Sequence, residues 1–245
     1  LLPVVLLRCR AELRRVTARD LVLCGASGVL LALHFLTWFE SLKRTSVASS
    51  TVLVSTEVIF TALGFALFLH GKIPRLGVWA ILLAFGGSAL LALSGGGGAG
   101  ELSGNLLALA AASAAAVYTL IGRIQRGHLS TTVYTFLTYL ACFLTLLLGT
   151  AAAGTPLTGY GGREWLIGLA LAVLCTLLGH SLFSWCLKYL SPSYVSAAKL
   201  CEPVFSSLAA IPLFGEVPGP LQLAGGAAVL GAVLLYTWAE REKTP

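Results

Sequence analysis

Charged residues are scarce in this 245-residue sequence: Asp, Glu, Lys and Arg together make up 11% of it. An ordinary soluble domain carries about 25%. Hydrophobic residues make up 57%, and the mean hydropathy is +0.89. These values argue against a soluble globular domain, a disordered chain and a nucleic-acid-binding protein, so we expect no nucleic-acid partner. The net charge of +6 instead indicates positive charge held on the cytoplasmic face of a membrane protein.

Paired cysteine motifs and methionine are also missing. The six cysteines are scattered without a C-x-x-C motif, so we interpret them as small apolar residues rather than a disulfide framework. No methionine occurs, even at position 1, and the apolar opening at 1–7 is too short for a spanning helix. This opening also lacks the basic start and cleavage site of a signal peptide. We therefore expect the sequence to be N-terminally incomplete.

A nucleotide-binding motif is absent as well. The stretch 94–100 is rich in glycine but lacks the Gly-Lys-Ser/Thr ending and the preceding strand of a phosphate-binding loop. A flexible loop between repeats at 95–102 is the interpretation that we adopt. We expect no cofactor and no bound metal.

Long apolar runs are what the sequence has in abundance. A membrane-spanning helix takes about 20 mostly apolar residues, whereas a transmembrane strand would show about 10 residues of alternating pattern. The runs match the first description, and Gly, Pro, Lys or Arg separates them. The predicted fold is therefore all-α, a polytopic transmembrane helical bundle with eight runs: 21–42, 46–69, 76–94, 103–121, 130–154, 163–187, 192–214 and 219–239.

Lys and Arg are unevenly divided between alternate loops. One side receives three, namely Lys43, Arg44 and Arg163, and Lys199 lies inside a run. Because cytoplasmic loops carry the excess of positive charge, the other side is predicted to be cytoplasmic, and with it the C-terminus. That side receives twelve: Arg8, Arg10, Arg14, Arg15, Arg19, Lys72, Arg75, Arg123, Arg126, Lys188, Arg241 and Lys243.

The sequence also contains an internal repeat. Gly71-Lys72-Ile73-Pro74 corresponds to Gly215-Glu216-Val217-Pro218 at an offset of 144, and Glu57 corresponds to Glu202 at an offset of 145. Two helices separate the matching blocks, so copies of a five-helix unit would have opposite orientations in the membrane. Inverted repeats are typical of secondary transporters, which bind substrate near the midplane. We place the first, partial repeat at 1–94, the second at 103–239, and a cytoplasmic tail at 240–245.

These residues resemble a known family. The stretch from His34 to Leu42 with Thr45 to Ser50 is similar to the first repeat of EamA-type transporters of the drug/metabolite transporter superfamily. Trp185 to Pro192, Glu202-Pro203-Val204 and Phe214-Gly215-Glu216 are similar to the second repeat. The resemblance implies ten helices in two inverted five-helix repeats, with both termini cytoplasmic. About eight of the ten helices would be present here, in the plasma or inner membrane.

Ionisable residues near the middle of a run are costly in a bilayer and usually face a cavity, pair or relay protons. Glu57 and Glu202 lie at such midpoints, and Lys199 lies three residues before Glu202, on the same helix face. Glu202 or Glu57 is the predicted proton acceptor or ligand for a substrate amine. A purely structural Lys199–Glu202 pair is the alternative. The predicted substrate and proton pathway is Glu202, Lys199, Glu57, His34, His180, Trp38 and Trp185, of which the histidines and tryptophans could instead be packing residues.

Small residues recur every four positions on two runs. Ala80, Ala84, Ser88 and Ala92 form one stripe, and Ala224, Ala228 and Ala232 form the other. Such stripes allow close helix contacts. They predict either packing within the chain or a homodimer through the helices at 76–94 and 219–239.

We predict a secondary transporter, and specifically an exporter, of a small metabolite such as an amino acid. It would work by alternating access with proton coupling or exchange, and it would not be an enzyme. A non-transporting membrane scaffold or sensor is one alternative. An intramembrane serine protease is the other, because Gly25-Ala26-Ser27-Gly28 matches a G-x-S-G motif and His180 could act as the base.

Overall fold

A computed structural model describes residues 1–45, 47–93, 102–202, 204, 205, 208, 211, 212 and 219–241. Predictions on the linker at 94–101, on Pro203 and on the Glu216 segment at 213–218 lie outside the described residues. Within the described part the regular structure is helical, with no strand, which confirms the predicted all-α bundle. The helices are α1 (Leu2–Arg8), α2 (Arg10–Leu13), α3 (Ala18–Leu42), α4 (Val47–Ser55), α5 (Glu57–Phe68), α6 (Arg75–Leu93), α7 (Leu102–Gln125), α8 (Thr131–Ala152), α9 (Gly162–Ala170), a π-helical segment (Leu171–His180), α10 (Ser181–Cys186), α11 (Pro192–Lys199) and α12 (Pro220–Arg241).

Four of these helices are long and apolar enough to cross a bilayer: Ala18–Leu42, Leu102–Gln125, Thr131–Ala152 and the continuous stretch Gly162–Cys186. Shorter apolar helical stretches cover Leu53–Phe68, which includes the boundary between α4 and α5 at Thr56, Arg75–Gly87 and Leu223–Ala239. Many of their large apolar side chains are exposed, as expected of helices that face lipid. Apart from α1 and α2, which precede the first predicted run, each described helix overlaps one of the eight predicted runs.

Two predicted runs are interrupted where the hydropathy pattern is continuous. The run 46–69 breaks at Thr56, which separates α4 from α5. The hydroxyls of Ser55 and Thr56 donate to the carbonyls of Thr51 and Leu53, at 2.7 and 2.6 Å. Back-bonding of this kind bends helices. In the run 192–214, α11 ends at Lys199, four residues before Pro203, which has no N–H to bond the Lys199 carbonyl.

The chain divides into two compact units. The first consists of Leu1–Leu33 and Tyr118–Ser191, and the second of His34–Val117 and Pro192–Pro245. Each unit takes segments from both halves of the sequence, and the bounds of the two repeats stay a prediction.

In the first unit, Arg126 ties together the end of α7, the following loop and α10. The Arg126 side chain is 3% exposed. Its Nε donates to the Ser184 carbonyl at 2.9 Å, and Nη1 donates to the Leu129 carbonyl. Because both acceptors would be left unsatisfied, we expect Arg126→Ala to lower the free energy of unfolding by about 1–3 kcal/mol.

The test is thermal unfolding of the detergent-solubilised protein, with the midpoint followed by tryptophan fluorescence. Arg163→Ala is the matched control, because Arg163 is exposed. Equal midpoints for Arg126→Ala and Arg163→Ala would contradict the tying role of Arg126.

In the second unit, α6 and α12 pack closely along their small residues. Ala80, Ala84 and Ala232 are buried in the same core cluster. A Cβ built on Gly87 would lie 2.8 Å from the Gly225 carbonyl oxygen and 3.1 Å from the Ala228 Cβ. The small residues therefore allow a close helix contact within the chain, which is one of the two interpretations that the sequence left open.

Candidate functional site

The second unit contains a buried ion pair. The Lys199 Nζ donates to the Glu57 Oε1 at 2.7 Å, and the two side chains are 14% and 11% exposed. Ser196 Oγ donates to the same carboxylate oxygen at 3.2 Å and lies 3.2 Å from Thr61 Oγ1. A carboxylate, an ammonium and two hydroxyls thus meet in the interior of a membrane protein.

Each charge of the pair lies at the end of a broken helix. Glu57 is the first residue of α5, directly after the break at Thr56. Lys199 is the last residue of α11. A helix N-terminus favours a negative charge and a C-terminus a positive one, so both helix dipoles stabilise the ionised pair. Ends of discontinuous membrane helices are where transporters typically place substrate and ion sites.

An apolar core cluster includes sequence neighbours of both charges. Val58, Ala197 and Leu200, which flank the two charges in sequence, belong to a core cluster with residues of α6 and α12. The two charged side chains are only 14% and 11% exposed, so water screens this pair less than it would a pair at the surface. A change in the charge of either partner therefore has a large energetic effect.

His34 lies close enough to Glu57 and Lys199 to interact with both electrostatically. Its Nδ1 is 3.0 Å from the Ala111 carbonyl oxygen, so this nitrogen carries the proton and donates. The ring also stacks on Trp38, with ring centroids 5.9 Å apart. Trp38 Nε1 is buried without a hydrogen-bond acceptor in the described part of the chain. The structure thus brings four of the seven predicted residues into the second unit as buried or half-buried groups.

The remaining predicted residues occupy other surroundings. Glu202 also belongs to the second unit, but its side chain is exposed. His180 and Trp185 belong to the first unit. His180 packs edge-on against Tyr118 at 6.1 Å, and Trp185 is 50% exposed beside Tyr189.

Sequence reasoning did not single out Ser196 and Thr61. Ser196 is 2% exposed and Thr61 is fully buried. Both lie one helical turn from a predicted charge, since Ser196 precedes Lys199 by three residues and Thr61 follows Glu57 by four. Residues three and four apart share a helix face, and this spacing was the signal that could have identified them.

Ser27, the candidate nucleophile of the protease alternative, is fully buried in the first unit. Its Oγ lies 2.8 Å from the Tyr134 hydroxyl. This partner, rather than His180, satisfies the hydroxyl, which is the arrangement of a packing residue.

The amino-acid sequence also matches a known protein family. A model of the EamA-like transporter family matches residues 1–93 and 102–238. The chain belongs to this family. It is therefore an integral membrane transporter, as the resemblance in the sequence implied.

Several relatives of the chain carry names that state an activity. It is 24% identical to a pseudopaline exporter of Pseudomonas aeruginosa over 84% of this chain and 72% of the relative. It is 28% identical to a probable terminal-alkyne amino-acid exporter of Streptantibioticus cattleyicolor over 91% and 75%. It is 26% identical to a threonine/homoserine exporter of Escherichia coli over 68% and 56%.

A crystal structure of another protein has the same fold. The TM-score is 0.73, and the match covers 91% of this chain and 78% of that one. The identity is 21%, so the likeness concerns the fold alone.

Proposed function

We propose that this protein exports a small zwitterionic metabolite of the amino-acid class by alternating access. The observation that carries the proposal is the buried Glu57–Lys199 ion pair at the ends of two broken helices. The names of three relatives, all exporters, support the direction of transport.

The chemistry of the pair suits a zwitterion. A bound amino acid would place its ammonium group against the Glu57 carboxylate and its carboxylate against the Lys199 ammonium. The total charge of the buried site is then zero with or without substrate, so neither state leaves an unpaired charge in a medium of low dielectric constant. A singly charged substrate would leave one partner uncompensated.

Proton coupling uses the same atoms. A proton delivered to Glu57 would remove the charge that holds Lys199, and the ion pair would open. The helix ends at Glu57 and Lys199 would then be free to separate, which is a two-state element of the kind that alternating access needs. Glu202, three residues after Lys199, is the second candidate proton acceptor.

The transport test uses proteoliposomes containing the purified protein and a mixture of the twenty protein amino acids, with imposed proton gradients of both signs. Accumulated solutes are identified by mass spectrometry. We expect at least one amino acid to accumulate with wild-type protein. We expect Glu57→Gln to reduce its initial rate by about 10- to 100-fold, since a charge-assisted hydrogen bond of 1.5–3 kcal/mol is lost.

Two parallel variants make this result specific. Glu202→Gln asks whether the exposed carboxylate is the proton acceptor, and Glu40→Gln is the control, because Glu40 pairs with Lys43 and Arg44 at an exposed position. Full activity of Glu57→Gln would contradict the role of the pair. The absence of flux for every amino acid, with folded protein, would favour the scaffold hypothesis.

We also propose that the protein lies in the plasma or inner membrane with its C-terminus in the cytoplasm. The distribution of Lys and Arg between alternate loops supports this orientation. A homodimer through the helices at 76–94 and 219–239 stays a prediction, and Ala80, Ala84 and Ala232 already serve a contact within the chain.

A further inference from the structure

The first unit contains a cavity, lined by several charged residues, that the proposed mechanism does not use. Its volume is about 970 Å³, and two segments of the chain line it, residues 8–23 and 124–129. Both segments lie on the face that the positive charges assign to the cytoplasm. An exporter collects its substrate from that face.

Arginine side chains supply the positive charge of this cavity. Arg8, Arg15 and Arg19 line it. Within the described residues, none of the three forms an ion pair with a carboxylate. Their guanidinium groups can therefore bind an anionic group of a ligand, and a carboxylate matches the guanidinium in a bidentate manner.

The two acidic residues of the cavity differ in how many further hydrogen bonds they can accept. Asp20 accepts four hydrogen bonds, two from Thr17 and one each from Gln125 and His128. Glu12 uses Oε1 to accept from the Ser130 N–H at 2.6 Å, and no bond to its Oε2 is present in the described segments. Glu12 is thus the carboxylate with an oxygen left for a ligand.

Gln125 supplies a second acceptor in the cavity wall. Its side chain is 1% exposed. Its Nε2 donates to Asp20 Oδ1 at 3.2 Å, which fixes the orientation of the amide because a carboxylate only accepts. Gln125 Oε1 is buried and lacks a donor within the part of the chain that the structure describes. A buried acceptor without a donor is costly, so an N–H group of a ligand would stabilise this site.

We propose that this cavity is a second binding site, for a small molecule that carries both an amino group and a carboxylate. The carboxylate binds among Arg8, Arg15 and Arg19, and the amino group binds Glu12 Oε2 and Gln125 Oε1. The volume is at the upper end of that of small-molecule sites, so an amino acid with a large side chain fits. The proposal rests on the proposed function for the class of substrate, but its binding is measured separately.

The observations favour a soluble zwitterion over a phospholipid headgroup. The phosphate of a phosphatidylglycerol headgroup would pair with the arginines, but its hydroxyls carry no positive charge to pair with the Glu12 carboxylate. The cavity contains both cations and acceptors without donors. The cations match the carboxylate of an amino acid, and the acceptors match its ammonium group.

The test measures binding of the twenty protein amino acids to the detergent-solubilised wild-type protein by saturation-transfer difference NMR. Each amino acid that binds is compared with the corresponding 2-hydroxy acid, in which a hydroxyl replaces the amino group. We expect the double variant Arg15→Gln/Arg19→Gln to weaken binding about tenfold or more. Arg14→Gln is the matched control, since Arg14 lies in the same segment but does not line the cavity.

Glu12→Gln examines the other end of the ligand. Glutamine can still accept the Ser130 N–H bond, so the local fold is kept while the negative charge is removed. We expect this variant to weaken binding of the amino acid several-fold and to leave binding of the 2-hydroxy acid unchanged. Equal binding of the amino acid and the 2-hydroxy acid to wild type would overturn the zwitterion site in favour of an anion site.

Two further outcomes would overturn the proposal. One is that no amino acid binds at 10 mM or below, a concentration of the order of weak small-ligand affinities, while phosphatidylglycerol in nanodiscs binds through the same arginines. The other is that binding is unaffected in Arg15→Gln/Arg19→Gln. Glu57→Gln separates this proposal from the proposed function, because it should lower the transport rate about 10- to 100-fold, whereas the binding that remains in it should still be weakened by Arg15→Gln/Arg19→Gln.

Discussion

Lys199→Met is expected to lower the free energy of unfolding by about 3–5 kcal/mol, the usual cost of leaving one partner of a buried ion pair uncompensated. Methionine approximates the length of the lysine stem, so the change removes the charge and little volume. The Glu57 carboxylate would keep the Ser196 hydroxyl but lose its cation at a largely buried position. The measurement is equilibrium unfolding in mixed micelles, followed by tryptophan fluorescence.

A double-mutant cycle measures the energetic coupling between Glu57 and Lys199. Glu57→Gln/Lys199→Met removes both charges, so we expect it to be less destabilised than the sum of the two single variants. Lys43→Met is the matched control. Lys43 pairs with Glu40 at 3.0 Å, but its side chain is 72% exposed, and such pairs contribute about 0–1 kcal/mol. If Lys199→Met and Lys43→Met had equal free energies of unfolding, the Glu57–Lys199 pair would make no measurable contribution to stability.

The helical bundle could be predicted from the sequence because hydropathy is a local property of the chain. A run of about 20 apolar residues identifies a span whatever it packs against. The same reasoning placed Glu57 and Glu202 at the middle of their runs, where ionisable groups are functional candidates, and singled out Lys199 three residues before Glu202. Those two residues form the ion pair of the structure.

The partner of Lys199 could not be predicted in the same way. The i,i+3 spacing favoured Glu202, whereas the close ion pair in the structure is with Glu57, 142 residues earlier in the chain. Contacts between helices depend on how the helices pack, which a single sequence does not contain. The break at Thr56 was missed for a related reason, because the back-bonding hydroxyls of Ser55 and Thr56 lie in a run whose hydropathy is unbroken.

The positions of the charges at the helix breaks also lower the cost of burying the pair. Glu57 comes first in α5 and Lys199 last in α11, so the helix dipoles offset part of the desolvation of the pair. In a continuous helix neither residue would lie at a helix end, so the helix dipole would not stabilise its charge. Helix interruption and ion pairing are therefore two parts of one arrangement.

Gly28→Val is expected to prevent normal packing of the first unit. A Cβ on Gly28 would lie 2.3 Å from the Thr138 carbonyl oxygen, 2.5 Å from the Ala141 Cβ and 2.8 Å from the Cys142 nitrogen. Two of these three atoms belong to backbone, which cannot rotate away as a side chain can. The helices α3 and α8 would have to separate, and overpacking of this kind costs about 1–3 kcal/mol or more.

Separation of α3 from α8 would also break a buried hydrogen bond. Ser27 Oγ and the Tyr134 hydroxyl, 2.8 Å apart, lie in the same contact, so both hydroxyls would lose their partner in an apolar interior. Gly25→Val is the matched control on the same helix, because a Cβ at Gly25 meets no atom within 4 Å. The yield of monodisperse protein in detergent and its unfolding midpoint are the measurements. Equal values for Gly25→Val and Gly28→Val would show that α3 and α8 do not depend on this close approach.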